Sequence, residues 1–63
     1  MRFRIADFRK KKKLSQTQLA QVSGVSRATI AGLESGAITV TTTGTIEKLS
    51  NALKVPVSKI LLP

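Results

Sequence analysis

The side chains that most often do covalent chemistry are scarce in this 63-residue chain. There is no histidine and no cysteine, and the three acids, Asp7, Glu34 and Glu47, are spread along the sequence. The usual general base, the usual zinc ligand, a disulfide and a paired-carboxylate site are therefore all missing, so no enzyme, no cofactor and no metal site is expected. The abundant functional group is the cation. Eleven Lys and Arg face the three acids for a net charge of +8, and seven of those cations fall within residues 1–14 beside one Asp. Such a field attracts polyanions. Nucleic acid is the first candidate, an anionic membrane surface the second, and solubility alone the bland alternative.

A second group of residues is defined by spacing. Gln16, Leu19, Ala20, Gly24, Val25, Ile30 and Leu33 form a helix-turn-helix pattern. Ala20 stands where two helices touch, which only a small side chain permits. Gly24 supplies the positive φ of a tight turn, and Ile30 and Leu33, three apart, seat the second helix on the domain. The outer face of that second helix is then left to enter a major groove.

The elements that must position these residues can be read along the chain. A first helix is expected from about Arg2 to Lys12, with Ile5 and Phe8 inward, Met1 on the same stripe, and the Lys12 stem over the core. Ser15 heads the capping-box sequence Ser15-Gln16-Thr17-Gln18, so a second helix runs from Gln16 to about Ser23 and stops at Gly24. Ser26 caps a third helix from Arg27 to about Ser35, ended by Gly36. Residues 37–44 are rich in β-branched side chains, but a lone strand would have no partner, so a loop is expected. Thr42 or Thr43 caps a fourth helix to about Leu53, with Ile46, Leu49 and Leu53 inward. Val55-Pro56 breaks the chain, and a last short helix covers Val57 to Leu62. The fold class is all-α, a five-helix single domain over residues 1–63. No apolar run approaches the roughly 20 residues that span a bilayer, and the first residues carry no signal-peptide stretch, so a cytoplasmic protein is expected.

Gln16-Thr17-Gln18-Leu19-Ala20, Gly24-Val25-Ser26-Arg27-Ala28-Thr29-Ile30 and Leu33-Glu34-Ser35-Gly36 together resemble the lambda-repressor/Cro-like (Xre-type) helix-turn-helix family. Thr45 to Leu53 is similar to that family's fourth helix and Val57 to Leu62 to its fifth. The resemblance implies roles. Arg27, Ala28 and Thr29 would face base edges, with Arg27 gripping a guanine and Ala28 touching a thymine methyl. Gly32 occupies a base-contact position without a side chain, a departure that suggests close backbone approach and specificity leaning on DNA shape. Gln16 would bond a phosphate or support a base-reading side chain, and the N–H groups of Gln16 and Thr17, with Ser26, would meet phosphate at helix starts. The loop carrying Thr39, Thr41, Thr42 and Thr43 would meet the backbone, although it is longer than the family norm and lacks its usual basic residues; the same hydroxyls serve equally as turn and helix caps. Arg9 and Glu34 match an internal ion pair between the first and third helices. Lys13 and Lys54 stand where the family often has a helix-ending glycine.

Lys10 to Lys13 are spread around a helix end, so only one or two can share a DNA surface, with Lys12 and Lys13 best placed. The implied function is a sequence-specific regulator of transcription, a repressor, working as a weak homodimer on a pseudo-palindromic site. Ile38, Val40, Val57, Ile60 and Leu61, with Leu62, are more apolar than their segments require and would supply the dimer contact. The alternative is a protein-interaction module such as the antitoxin of a toxin–antitoxin pair, and a toxin or the transcription machinery is the corresponding protein partner. Membrane attachment through Phe3, Ile5 and Phe8 is disfavoured because the core needs them, and RNA binding because no further aromatics offer stacking.

Overall fold

Three helices begin on a hydroxyl. Ser15, Ser26 and Thr42 each adopt extended backbone and accept a hydrogen bond from the N–H three residues on, at Gln18, Thr29 and Thr45. These caps satisfy donors that a helix start leaves unpaired. They open α2 (Gln16–Ser23), α3 (Arg27–Ser35) and α4 (Thr43–Leu53) in a computed structural model that describes residues 2–62. Ser15 also completes the capping box, its own N–H donating to Gln18 Oε1 at 2.8 Å. Preceding them is α1 (Ile5–Lys11), and α5 (Val57–Ile60) follows. The fold is the all-α, five-helix architecture expected.

Its two ends differ from expectation. The first helix starts at Ile5, not Arg2, and the last stops at Ile60, not Leu62. The reason is a two-residue antiparallel ladder, β1 (Arg2–Phe3) against β2 (Leu61–Leu62), with Phe3 opposite Leu61. Arg4 N–H donates to the Ile60 carbonyl at 2.7 Å and continues the pairing. Extended backbone here satisfies groups that one more helical turn would leave open. The expectation for Met1 lies outside the described residues.

Ile5, Leu19, Ile30, Leu49, Leu53 and Ile60 are fully buried in one cluster, with Val25 and Leu33 nearly so. Each of the five helices contributes to it, and the α2–α3 turn adds Val25. Phe3, Phe8, Leu14, Ala20 and Ile38 close its margins. Complete burial of such side chains contributes about 1.5–3 kcal/mol apiece.

Gly24 and Gly36 end α2 and α3 with φ of 77° and 87°. Lys13 and Lys54 adopt the same left-handed geometry, at φ 58° and 57°. A side chain in that region strains against its own backbone, by about 1–2 kcal/mol. Lys54 ends α4, and the Ser50 hydroxyl donates to the Val55 carbonyl just beyond it. Lys54→Gly is therefore expected to stabilise the domain by about 0.5–1 kcal/mol, the relief of strain less the extra freedom glycine gives the unfolded chain. A higher denaturant midpoint would bear this out; an unchanged or lower one would refute it.

Candidate nucleic-acid interface

The geometry of this face begins with the turn between α2 and α3. Gly24 reverses the chain and donates its N–H to the Ala20 carbonyl at 3.0 Å, Val25 drops into the core at 7% exposure, and Ser26 opens α3. Ser23 Oγ accepts from Val25 N–H at 3.1 Å and braces the bend. One face of α3 is then committed to the interior through Ile30 and Leu33. Arg27 and Ala28, in its first turn, are exposed on the other side, as is Ser35 at its end. Thr29 is half-buried, and its hydroxyl accepts from Ser26 Oγ at 2.8 Å while its N–H donates to the same oxygen. Ser26 and Thr29 thus spend part of their hydrogen-bonding capacity on the cap.

Gly32 has a packing role inside the domain. A Cβ built there would fall 2.5 Å from Ile38 Cδ1 and 2.7 Å from Cγ1, and Ile38 N–H donates to the Gly32 carbonyl at 3.0 Å. The missing side chain makes room for Ile38 to fold back over α3, an internal use of the bare Cα. Ile38 is correspondingly half-buried against the core.

Arg9, Glu34 and Gln16 form one network across α1, α3 and α2. Arg9 Nε donates to Glu34 Oε2 at 2.8 Å and Arg9 Nη2 to Oε1 at 3.0 Å, a two-pronged arrangement that suits guanidinium and carboxylate. Arg9 Nη1 donates to the Leu14 carbonyl at 2.8 Å, which ties the α1–α2 connection to the same group. Gln16 Nε2 donates to Glu34 Oε1 at 3.1 Å. The ion-paired side chains are only 13% and 9% exposed. Burial alone would raise the Glu34 carboxyl, but the hydrogen bonds from Arg9 and Gln16 and the charges of Arg9 and Lys10 outweigh it and hold it below the ordinary carboxylate value. The same hydrogen bond from Arg9 raises the guanidinium further against its own desolvation. The Gln16–Glu34 link has no local signature in the sequence, which points Gln16 to DNA alone.

Lys10 to Lys13 are all exposed. Lys11 lies over the Phe8 ring, its Nζ 5.4 Å from the centroid, a cation–π contact. It is Lys11, therefore, and not Lys12, that covers an apolar residue of α1. Lys12 caps the helix end and stands in solvent, and Lys13 turns the chain toward α2. Arg4 sits 3.8 Å from Asp7 on the surface. Two of the three acids are thus engaged by arginines, while Lys12, Lys13 and Arg27 carry no ion pair among the described residues.

The Thr-rich loop divides its hydroxyls between roles. Thr42 Oγ1 caps α4 by accepting from Thr45 N–H at 3.2 Å and lies 3.0 Å from Thr45 Oγ1. Thr39 and Thr43 are exposed and Thr41 is half-buried. These threonines border a groove of about 450 Å³ whose apolar wall is Phe3, Val40, Ile46, Val57 and Leu61. Val40, Val57 and Leu61 of the expected dimer contact are brought together there. Ile60 is not: it is fully buried in the core, because α5 directs it inward between Val57 and Leu61. The Leu62 side chain lies outside the described residues. Among the described residues, no helix is long and apolar enough to cross a membrane, and no cluster of three or more His, Cys, Asp or Glu side chains could hold a metal ion.

Comparison with known proteins agrees with this geometry. A family model described as Helix-turn-helix matches residues 5–60. The HTH-type transcriptional repressor RghR of Bacillus subtilis (strain 168) is 48% identical over 48 residues, covering 76% of this chain and 36% of that protein. A second protein of the same organism, named as the uncharacterized HTH-type transcriptional regulator RghRB, is 39% identical over 57 residues, covering 90% of this chain and 41% of its own length. The chain thus spans well under half the length of these curated relatives. With the match running from the start of α1 to the end of α5, the chain belongs to the lambda-repressor-like (Xre-type) helix-turn-helix family.

Proposed function

We propose that this chain binds double-stranded DNA and regulates transcription, as a repressor, by placing α3 in the major groove. The observation that carries the reading is the division of α3: Ile30 and Leu33 are locked in the core while Arg27 and Ala28 stand exposed at the helix start, in a chain of net charge +8. Arg27 supplies the bidentate donor for a guanine and Ala28 a methyl-sized contact for thymine. Thr29, half-buried beside its cap, reaches a base edge only at the margin, and DNA shape supplies the remaining discrimination. Gln16, the Gln16 and Thr17 N–H groups, Ser26, Lys12, Lys13 and the threonines at 39, 41, 42 and 43 contact phosphate and set the register.

One small domain reads few base pairs, so two copies on a two-fold site are proposed, meeting through Val40, Val57 and Leu61. The half-sites are then about 10–10.5 base pairs apart. The relatives' names as transcriptional regulators support this reading over the antitoxin alternative. The proposed place of action is the cytoplasm.

Selection of bound sequences from random duplexes tests it. A two-fold-related consensus is expected, and Arg27→Ala is expected to cost about 1–3 kcal/mol in binding and to relax one position per half-site. Recovery of no consensus, or an Arg27→Ala protein that keeps its affinity and preference, would overturn the proposal.

A further inference from the structure

Glu34 lies on α3 and is the acceptor for two side chains at once. Arg9 holds both its oxygens, and Gln16, the first residue of α2, donates to Oε1. A glutamine at a helix start ordinarily samples many rotamers, at an entropic cost when a ligand fixes it. Here one amide hydrogen is already engaged. The second Nε2 hydrogen and Oε1 of Gln16 have no partner among the described residues, and no buried side-chain polar atom is left unpaired, so the amide oxygen is open to solvent. The charge arrangement also matters. Oxygen bound to phosphorus would be repelled by a bare carboxylate one side chain away, and Arg9, itself 13% exposed, cancels that charge.

We propose that Glu34 is a positioning residue for DNA: it holds the Gln16 amide in the orientation that donates its second hydrogen to a backbone phosphate, with Arg9 neutralising the carboxylate. The inference rests on the DNA-binding reading and assigns α1 and α3 a shared part in the phosphate contact of α2. Arg9 and Glu34 then have a second role beyond joining helices.

The two roles separate in a double-mutant cycle on binding to a mixed-sequence 18-base-pair duplex, at low temperature with folding checked by circular dichroism. Gln16→Ala is expected to weaken binding about 5- to 10-fold, the loss of one charge-assisted hydrogen bond. Glu34→Gln leaves one acceptor oxygen for three N–H donors and is expected to weaken binding about 3- to 5-fold with Gln16 present, but by under about 1.5-fold in the Gln16→Ala background. Equal effects of Glu34→Gln in both backgrounds would show a purely structural role and overturn the inference. Side-chain amide NMR of the free protein gives a second reading: the Gln16 Nε2 hydrogen bonded to Glu34 should be displaced from its position in a solvated primary amide and exchange slowly, and both resonances should move to the ordinary solvated pair in Glu34→Gln. An amide already solvated in the unmodified protein would overturn the inference without any DNA measurement. If the unmodified protein binds no duplex at all, the DNA-binding reading falls and this inference with it, an outcome distinct from an additive cycle.

Discussion

Glu34→Ala is expected to lower the stability of the domain by about 2–4 kcal/mol, because it leaves a guanidinium with little solvent and no counter-charge. Arg9 Nε and Nη2 lose their acceptor together, and Gln16 Nε2 loses its own. Side-chain exposures of 13% and 9% put the pair between a surface bridge, worth under about 1 kcal/mol, and a dry one, whose disruption costs about 3–5. A domain of this length holds roughly 3–9 kcal/mol in all, so the variant loses a large share of it. Urea melts at low temperature measure the change, and a loss under about 0.5 kcal/mol would mean that the three helices do not depend on this node. The pH dependence has a definite sign. The folded-state value of Glu34 is depressed, so its contribution is complete above the ordinary carboxylate value, about 4.3, and disappears as the pH falls through the lower folded value. Acid unfolding of the unmodified protein should therefore steepen below about pH 4, and Glu34→Ala should remove that component.

The largest expected effect on binding is that of salt. Lys12 and Lys13 give two unpaired cations per copy against phosphate, four in a dimer, with Arg27 kept for the base. Releasing about 0.9 counterion for each gives a log–log slope of about −3.6, so affinity for an operator duplex should fall about 150-fold between 50 and 200 mM salt. Lys12→Ala should reduce the slope by about one per copy and weaken all sequences alike, unlike Arg27→Ala, whose effect depends on the base opposite it. A slope shallower than about −2 would mean that these lysines do not meet phosphate. The same titration with Lys10→Ala serves as the comparison, since a residue elsewhere around the helix end leaves the slope nearly unchanged.

Much of this architecture could be read from residues because it is local. A serine or threonine followed three positions later by the N–H it binds is legible at Ser15 and Ser26, and to within one residue at Thr42, and so is the positive φ at Gly24. The inward faces of α3 and α4 follow from helical spacing and hold at Ile30, Leu33, Ile46, Leu49 and Leu53. What was illegible depends on chain paths. Two residues of β1 and two of β2 are too short to display a period, and their pairing joins positions about sixty apart in sequence. The fit of Ile38 over Gly32 requires knowing that the loop after Gly36 doubles back, whereas the letters alone place an unadorned glycine on an outer face. Ile60 reads as available because it stands in an apolar series with Val57, Leu61 and Leu62; only the direction of a four-residue helix distinguishes it from Val57 and Leu61. The Gln16–Glu34 bond spans 18 positions and two helices, and no local rule relates them.

The ladder between Arg2–Phe3 and Leu61–Leu62 imposes an order on folding. Contacts within and between neighbouring helices close short loops and form early, while this pairing must close nearly the entire chain. On the ribosome, Phe3 and Ile5 have to wait for the segment that holds Ile60 and Leu61 to be made. Until then the nascent domain carries an uncovered apolar seam along α1, and its completion is a late, all-or-none clasp.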